Sequence, residues 1–220
     1  MSTTIPGLNA FVDLSHHNLN VDFKQAQAAG LVGMIHKATQ HTDYIDPQYG
    51  VRVAQARALG LYIGAYHFAT AAPVQQQLDH FLAAIKPFGS AQVLPCLDWE
   101  LNPDSQQGSM SQQQLVELID LFKQATGVYP VIYGGYWMLD MLKDEKNLGN
   151  LGQCPLWQAF YSSSFGYLSD IWSDWALLQY TDGTLGPEPH SMAGIGPVDR
   201  DSFNGSLADV ANFWKQHALS

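Results

Sequence analysis

Strand-length apolar runs that alternate with helix-like stretches constrain this chain more than any other feature. Residues 9–14, 32–38, 61–68, 92–98, 130–133, 155–159 and 176–180 read as strands, and residues 197–200 as a short last one, about eight in all. The amphipathic stretches between them carry helix punctuation. Asp46-Pro47 has the form of an N-cap with proline at the first helical position, Ser111-x-x-Gln114 and Ser206-x-x-Asp209 have the form of capping boxes, and Gly30, Gly60 and Gly127 fall where helices should stop. Strand, helix and strand in succession are the signature of βαβ units, hence of an α/β chain. Residues 143–152 and 181–196 are long polar or Gly/Pro-rich connections, which argue against eightfold symmetry. The expectation is one domain over residues 1–220, an irregular (β/α) TIM-like barrel of about eight strands.

Composition bounds the partners. Ten Lys and Arg against 20 Asp and Glu leave a formal net charge of −10, which repels phosphate backbones and anionic membranes. Neither a nucleic acid nor a membrane surface is therefore expected as a partner. Six tryptophans within a 12% aromatic content suit the apolar faces of sugars, although core packing uses the same rings. Cys96 and Cys154 make no disulfide framework, and Cys96 reads as a small buried hydrophobe. The opening residues lack a basic segment and an apolar core, and no run of 18 apolar residues occurs, so the chain is expected to be leaderless and without a spanning helix.

In a barrel the strand ends converge on one face, and chemistry belongs there. The polar residues that end the candidate strands include Asp13, Lys37 with Thr39, Tyr66 with His67, Asp98 with Glu100, Tyr133, Trp157 with Tyr161, Gln179, and Asp199 with Asp201. The sharpest of these is Asp98-Trp99-Glu100. Carboxylates at i and i+2 on a strand share a face with their Cα atoms about 6.5 Å apart, close enough to act on one bond. A carboxyl can protonate a leaving oxygen near neutral pH only if burial or a neighbouring carboxylate raises its pKa, and clustered acids supply that repulsion. Simpler roles stand beside these: Asp13 could be a turn acid, and Tyr66, Tyr133 and Trp157 could be core aromatics. His67 is expected to hydrogen-bond at the pocket rim, and Asp201 reads as a turn residue. His36 and His41, five apart, face opposite ways on a strand, and no histidine pair has compact ligand spacing, so neither a metal nor another cofactor is expected.

These segments resemble the glycoside hydrolase family 25 lysozymes (Chalaropsis type) nearly end to end. The matching stretches are Phe11-Val-Asp-Leu-Ser-His-His17, His36-Lys-Ala-Thr-Gln40, Gly64-Ala-Tyr-His-Phe68, Leu97-Asp-Trp-Glu100, Tyr129-Pro-Val-Ile-Tyr133, Pro155-Leu-Trp-Gln-Ala159 with Tyr161, Leu178-Gln-Tyr-Thr-Asp182 and Val198-Asp-Arg-Asp-Ser-Phe-Asn-Gly205. The resemblance implies hydrolysis of the β-1,4 bond between N-acetylmuramic acid and N-acetylglucosamine in peptidoglycan. It implies Glu100 as general acid/base and Asp98 as the stabilising carboxylate. As nucleophile, as base for water or as clamp on the substrate's acetamido group, Asp98 has three possible parts, of which the resemblance favours the last. Asp13 and Asp199 match the remaining site carboxylates, and Tyr66, Tyr133, Trp157 and Gln179 match pocket-lining positions, with His67 and Tyr161 beside them. His41 stands where relatives usually carry glycine, which bears on the shape of that loop. Two other functions compete: a metal-dependent carbohydrate deacetylase on a similar barrel, against which the histidine spacing speaks, and a non-catalytic glycan-binding module, against which the acid pair speaks. The expected partner is the peptidoglycan glycan strand, met by a monomer without a separate wall-binding module. The protein would act outside the cytoplasm after secretion, injection or lysis, and an injected effector would need an immunity protein that plugs the pocket.

Overall fold

The computed structural model of the chain describes residues 4–162 and 169–219. The elements follow in the order β1 (Leu8–Leu14), α1 (Phe23–Ala28), β2 (Gly33–Gln40), β3 (Tyr44–Ile45), α2 (Tyr49–Ala58), β4 (Tyr62–Phe68), α3 (Val74–Ile85), β5 (Leu94–Asp98), α4 (Gln112–Thr126), β6 (Val131–Gly134), α5 (Tyr136–Met141), β7 (Leu156–Ala159), β8 (Leu177–Asp182), β9 (Ser191–Met192), β10 (Gly196–Pro197), β11 (Asp199–Phe203) and α6 (Leu207–His217). Eight strands close a barrel. The ring runs β1-β2-β4-β5-β6-β7-β8 with parallel pairing throughout, and β11 completes it antiparallel between β8 and β1.

All eight expected strands are present, but the last is longer than expected and reversed. A parallel return needs a crossover, usually a helix, whereas the chain between β8 and β11 holds only the β9–β10 ribbon, so it comes back antiparallel.

Residues alternate between two cores. Phe11, Ile35, Leu94, Cys96, Val131, Leu177 and Phe203 fill the barrel interior, while Val12, Met34, Ile63, Leu97, Ile132 and Leu156 pack under the surrounding helices. Both faces of each strand are thus covered, which is why the runs read as continuously apolar. The interior is tight: a Cβ added at Gly64 would stand 2.8 Å from the Ile35 side chain. One end is sealed by α6. Trp214 stacks on Phe11 with ring centroids 5.4 Å apart and donates its indole N–H to Ile63 O at 3.0 Å, and Leu219 N–H donates to Val93 O beside the start of β5. The opposite end, where the parallel strands finish, stays open.

Two of the three helix starts read from sequence form as expected. Ser111 and Gln114 make a capping box on α4, whose far end stops at Gly127 in the left-handed region (φ 79°) with its N–H on Lys123 O. Asp209 accepts from both the Ser206 N–H and its hydroxyl at the start of α6. Asp46 does not cap α2, which begins three residues later at Tyr49. Its buried carboxylate accepts instead from the backbone N–H groups of His16 and Gln48 and lies 2.9 Å from His16 Nδ1, tying the loop after β1 to the loop before α2.

Candidate active site

At the open end, Asp13, Tyr66, Asp98, Glu100, Tyr133, Trp157, Tyr161, Gln179 and Asp199 line one pocket of about 240 Å³. Strand register explains the gathering. Asp98 pairs with Tyr133 across β5 and β6, and Tyr133 with Trp157 across β6 and β7, so inward residues at one level of neighbouring strands form one wall. Glu100 lies past the end of β5 rather than on it. The alternation nevertheless continues for two residues, because Trp99 N–H still bonds Tyr133 O and the Trp99 indole is buried outward, on Met110 O and against Trp137. Asp98 and Glu100 consequently flank it on the pocket side.

The carboxyls sit within a linked polar wall. Tyr133 donates to Gln179 Oε1 at 2.8 Å, Tyr161 donates to the same oxygen, and Gln179 Nε2 donates to Asp13 Oδ2 at 2.6 Å. Asp13 is therefore a strand residue in the pocket and not a turn acid. Asp98 Oδ1 is buried with no hydrogen-bond partner among the described residues, whereas buried polar atoms are normally satisfied.

Of the residues expected at the site, only His67 is elsewhere. Tyr66 faces in, so period two sends His67 out, where its ring lies between Thr39 Oγ1 at 2.8 Å and Gln77 Oε1 at 3.1 Å, fully buried under α3. Burial lowers its pKa to about 4, which leaves it a neutral fastener of α3. Asp201 is also corrected: it is no turn residue but a fully buried member of β11. Reversal of β11 puts its first inward acid, Asp199, at the mouth and its second, Asp201, one layer deeper. Lys37, expected among the strand-end residues without an assigned role, lies within electrostatic reach of Asp98 and Glu100. Its Nζ bonds Gln40 Oε1 at 2.6 Å and lies 4.9 Å from the Phe68 ring centroid.

Burial dominates the electrostatics of this pocket. It raises Asp98 well above the usual carboxylate range, with the Glu100 charge adding and Lys37 opposing. It raises Glu100 too, again against Lys37. Asp13 is pushed up by burial and then by Asp199 and Asp201, with the Gln179 bond opposing. Asp199 is pushed up to about 6 by burial, Asp182 and Glu100. Burial raises both carboxyls, and the Glu100 charge adds to it at Asp98, so ionising the two together is costly.

The histidines have other partners. His16 is held by Asp46, and His36 by Arg52 Nη1 at 3.1 Å and Lys37 O at 2.8 Å. His41 lies 2.9 Å from Thr70 Oγ1 and takes the left-handed backbone (φ 57°) that glycine adopts freely, so the loop forms without one.

A barrel whose open end gathers two buried carboxyls between aromatic walls suits hydrolysis of a glycosidic bond. The sequence pattern of glycosyl hydrolases family 25 matches residues 12–188. Lysozyme M1 of Streptomyces globisporus is 28% identical over 208 residues, which is 90% of this chain and 68% of that protein, so the chain spans about two thirds of its length. A muramidase from Trichobolus zukalii superposes with a TM-score of 0.77 at 29% identity, over 94% of this chain and 99% of its own. The fold is also that of the bacterial lysozyme from Streptomyces coelicolor, at a TM-score of 0.81 and 24% identity over 98% and 100% of the two chains. This chain belongs to glycosyl hydrolases family 25.

Proposed function

We propose that this enzyme is a peptidoglycan hydrolase of the lysozyme type, cleaving the β-1,4 bond between N-acetylmuramic acid and N-acetylglucosamine. The single observation that carries the reading is the convergence of Asp98 and Glu100, both raised by burial, on one sugar-sized pocket. Glu100, the more open of the two, protonates the leaving glycosidic oxygen. Asp98 acts as the stabilising carboxylate: Lys37 opposes the burial and the Glu100 charge that raise its pKa, and its unpartnered Oδ1 can accept the substrate's acetamide N–H. That contact orients the acetamide carbonyl towards the anomeric carbon as positive charge develops there. Asp13 and Asp199 bound the pocket, and Tyr66, Tyr133, Trp157, Tyr161 and Gln179 hold the sugars.

Digestion of purified sacculi followed by reduction and mass spectrometry tests this. New reducing ends on N-acetylmuramic acid are expected. Reducing ends on N-acetylglucosamine, or acetate or peptides released from intact strands, would overturn it. Turnover should also survive excess EDTA, and loss of activity restored by zinc would favour a deacetylase.

Such a substrate puts the site of action in the periplasm or outside the cell. Among the described residues no helix is long and apolar enough to cross a membrane. A net charge of −10 offers no attraction to an anionic wall, which supports local delivery by injection or lysis from within. With that reading go a monomeric enzyme and, for an injected effector, an immunity protein that enters the pocket. Light scattering and the neighbouring genes test these two.

A further inference from the structure

Among the described residues, Asp201 is the one carboxyl of the barrel interior that the proposed reaction does not use. Along β11, Asp199 reaches the pocket, Phe203 joins the apolar interior, and Asp201 sits between them, fully buried. One of its oxygens accepts the Trp157 indole N–H at 2.7 Å, and the other, Oδ2, has no hydrogen-bond partner among the described residues. A half-satisfied buried carboxyl is costly, and a leucine of the same branching would fill the space without that penalty. Its surroundings add to the cost. Asp13 on β1, Cys96 on β5 and Asp199, two residues before it on β11, all lie within its electrostatic reach, with Arg200 an opposing charge, and burial raises its pKa against the Trp157 bond.

Trp157 gives the carboxyl a use. Its ring lies 4.5 Å from that of Tyr133 and 6.4 Å from that of Tyr66, and all three line the pocket. The bond to Asp201 is the polar tether of this aromatic wall, applied from the layer beneath.

We propose that Asp201 is a positioning residue: through Trp157 Nε1 it fixes the indole, and with it the Tyr66–Trp157–Tyr133 wall, in the orientation that receives a sugar ring. The inference rests on the pocket being a glycan site. It ascribes to Asp201 an acceptor's role, so Asp201→Asn should preserve the function and Asp201→Leu should lose it.

The experiment has two arms, the first needing no turnover. In a ¹H–¹⁵N spectrum the Trp157 indole peak is identified by its loss in Trp157→Phe. It should stay near its position in Asp201→Asn and move markedly in Asp201→Leu. In the second arm, on sacculi, Asp201→Leu should raise KM about five- to tenfold, the size of one lost hydrogen bond, with kcat affected less. Trp157→Phe should do the same, and the double variant should be no worse than either single one. Asp201→Asn should stay within about threefold of the parent, since its amide oxygen still accepts. An indole peak that does not move in Asp201→Leu, Asp201→Asn as impaired as Asp201→Leu, or additive losses in the double variant would each overturn the proposal. If Asp201→Leu does not fold, the indole peak of Asp201→Asn decides alone: displaced, it removes the tether. If the parent does not cleave sacculi, the muramidase reading fails while the spectral arm still tests Asp201.

Discussion

The two ends of the barrel are built from the same inward stripe of residues and do opposite things. Along β5 the stripe reads Leu94, Cys96, Asp98, and along β1 Phe11, Asp13, passing within two steps from dry packing to buried acid. At the closed end Trp214 of α6 completes an apolar plug. At the open end burial pushes several carboxyls up together, which costs stability at neutral pH and supplies reactivity. The lesson is that one end holds the barrel shut and the other spends the rigidity thereby gained on holding like charges together.

The sharpest way to break this contrast is Glu100→Gln. It keeps the volume and removes the acid, so kcat should fall by at least the roughly 10²–10⁴-fold of one general acid, with the melting temperature held. Near-normal turnover by the folded variant would remove the central residue of the mechanism. Asp98→Asn should be severely impaired as well, and the two losses should not add, because both groups serve one transition state. Any residual alkaline limb should move to lower pH. The move should be small, since burial is what raises Glu100.

Trp214→Ala probes the other end. Loss of a buried tryptophan should cost about 3–5 kcal/mol, read as a drop in the denaturation midpoint, while turnover per folded molecule persists. A variant that keeps its midpoint but loses activity would dissolve the division between the two ends. The smallest expected effect is Asp199→Asn. The folded pKa of about 6 lies above the unfolded 3.8, so this group stabilises fully below about pH 4 and loses that contribution as pH rises through 6. Neutralising it should therefore raise the melting temperature at pH 7 and change little at pH 4. Equal effects at both pH values would show that its charge is not the cause.

Much of this was legible in the chain. The eight strands, the two capping boxes at Ser111 and Ser206, the helix stop at Gly127 and nearly the whole pocket lining follow from local patterns, because strand alternation and helix capping are set within a few residues. His67 was misplaced although its neighbour Tyr66 was right. Two adjacent polar residues at a strand end satisfy the same composition cue, and only the facing of the strand separates them.

What the sequence determined by itself, then, is which residues form strands and which of their acids come in pairs. Tertiary structure alone decided how deep each acid lies. Asp199 and Asp201 are two apart and chemically identical, yet one opens to the pocket and the other is sealed beneath Trp157, because β11 returns antiparallel and its first residue is therefore the one at the mouth. Likewise Asp46 binds the His16 loop and not α2, and α6 plugs the end opposite the acids. Periodicity is a property of neighbours along the chain, whereas closure of the barrel depends on partners more than a hundred residues apart, β11 with β1, and no local pattern records it.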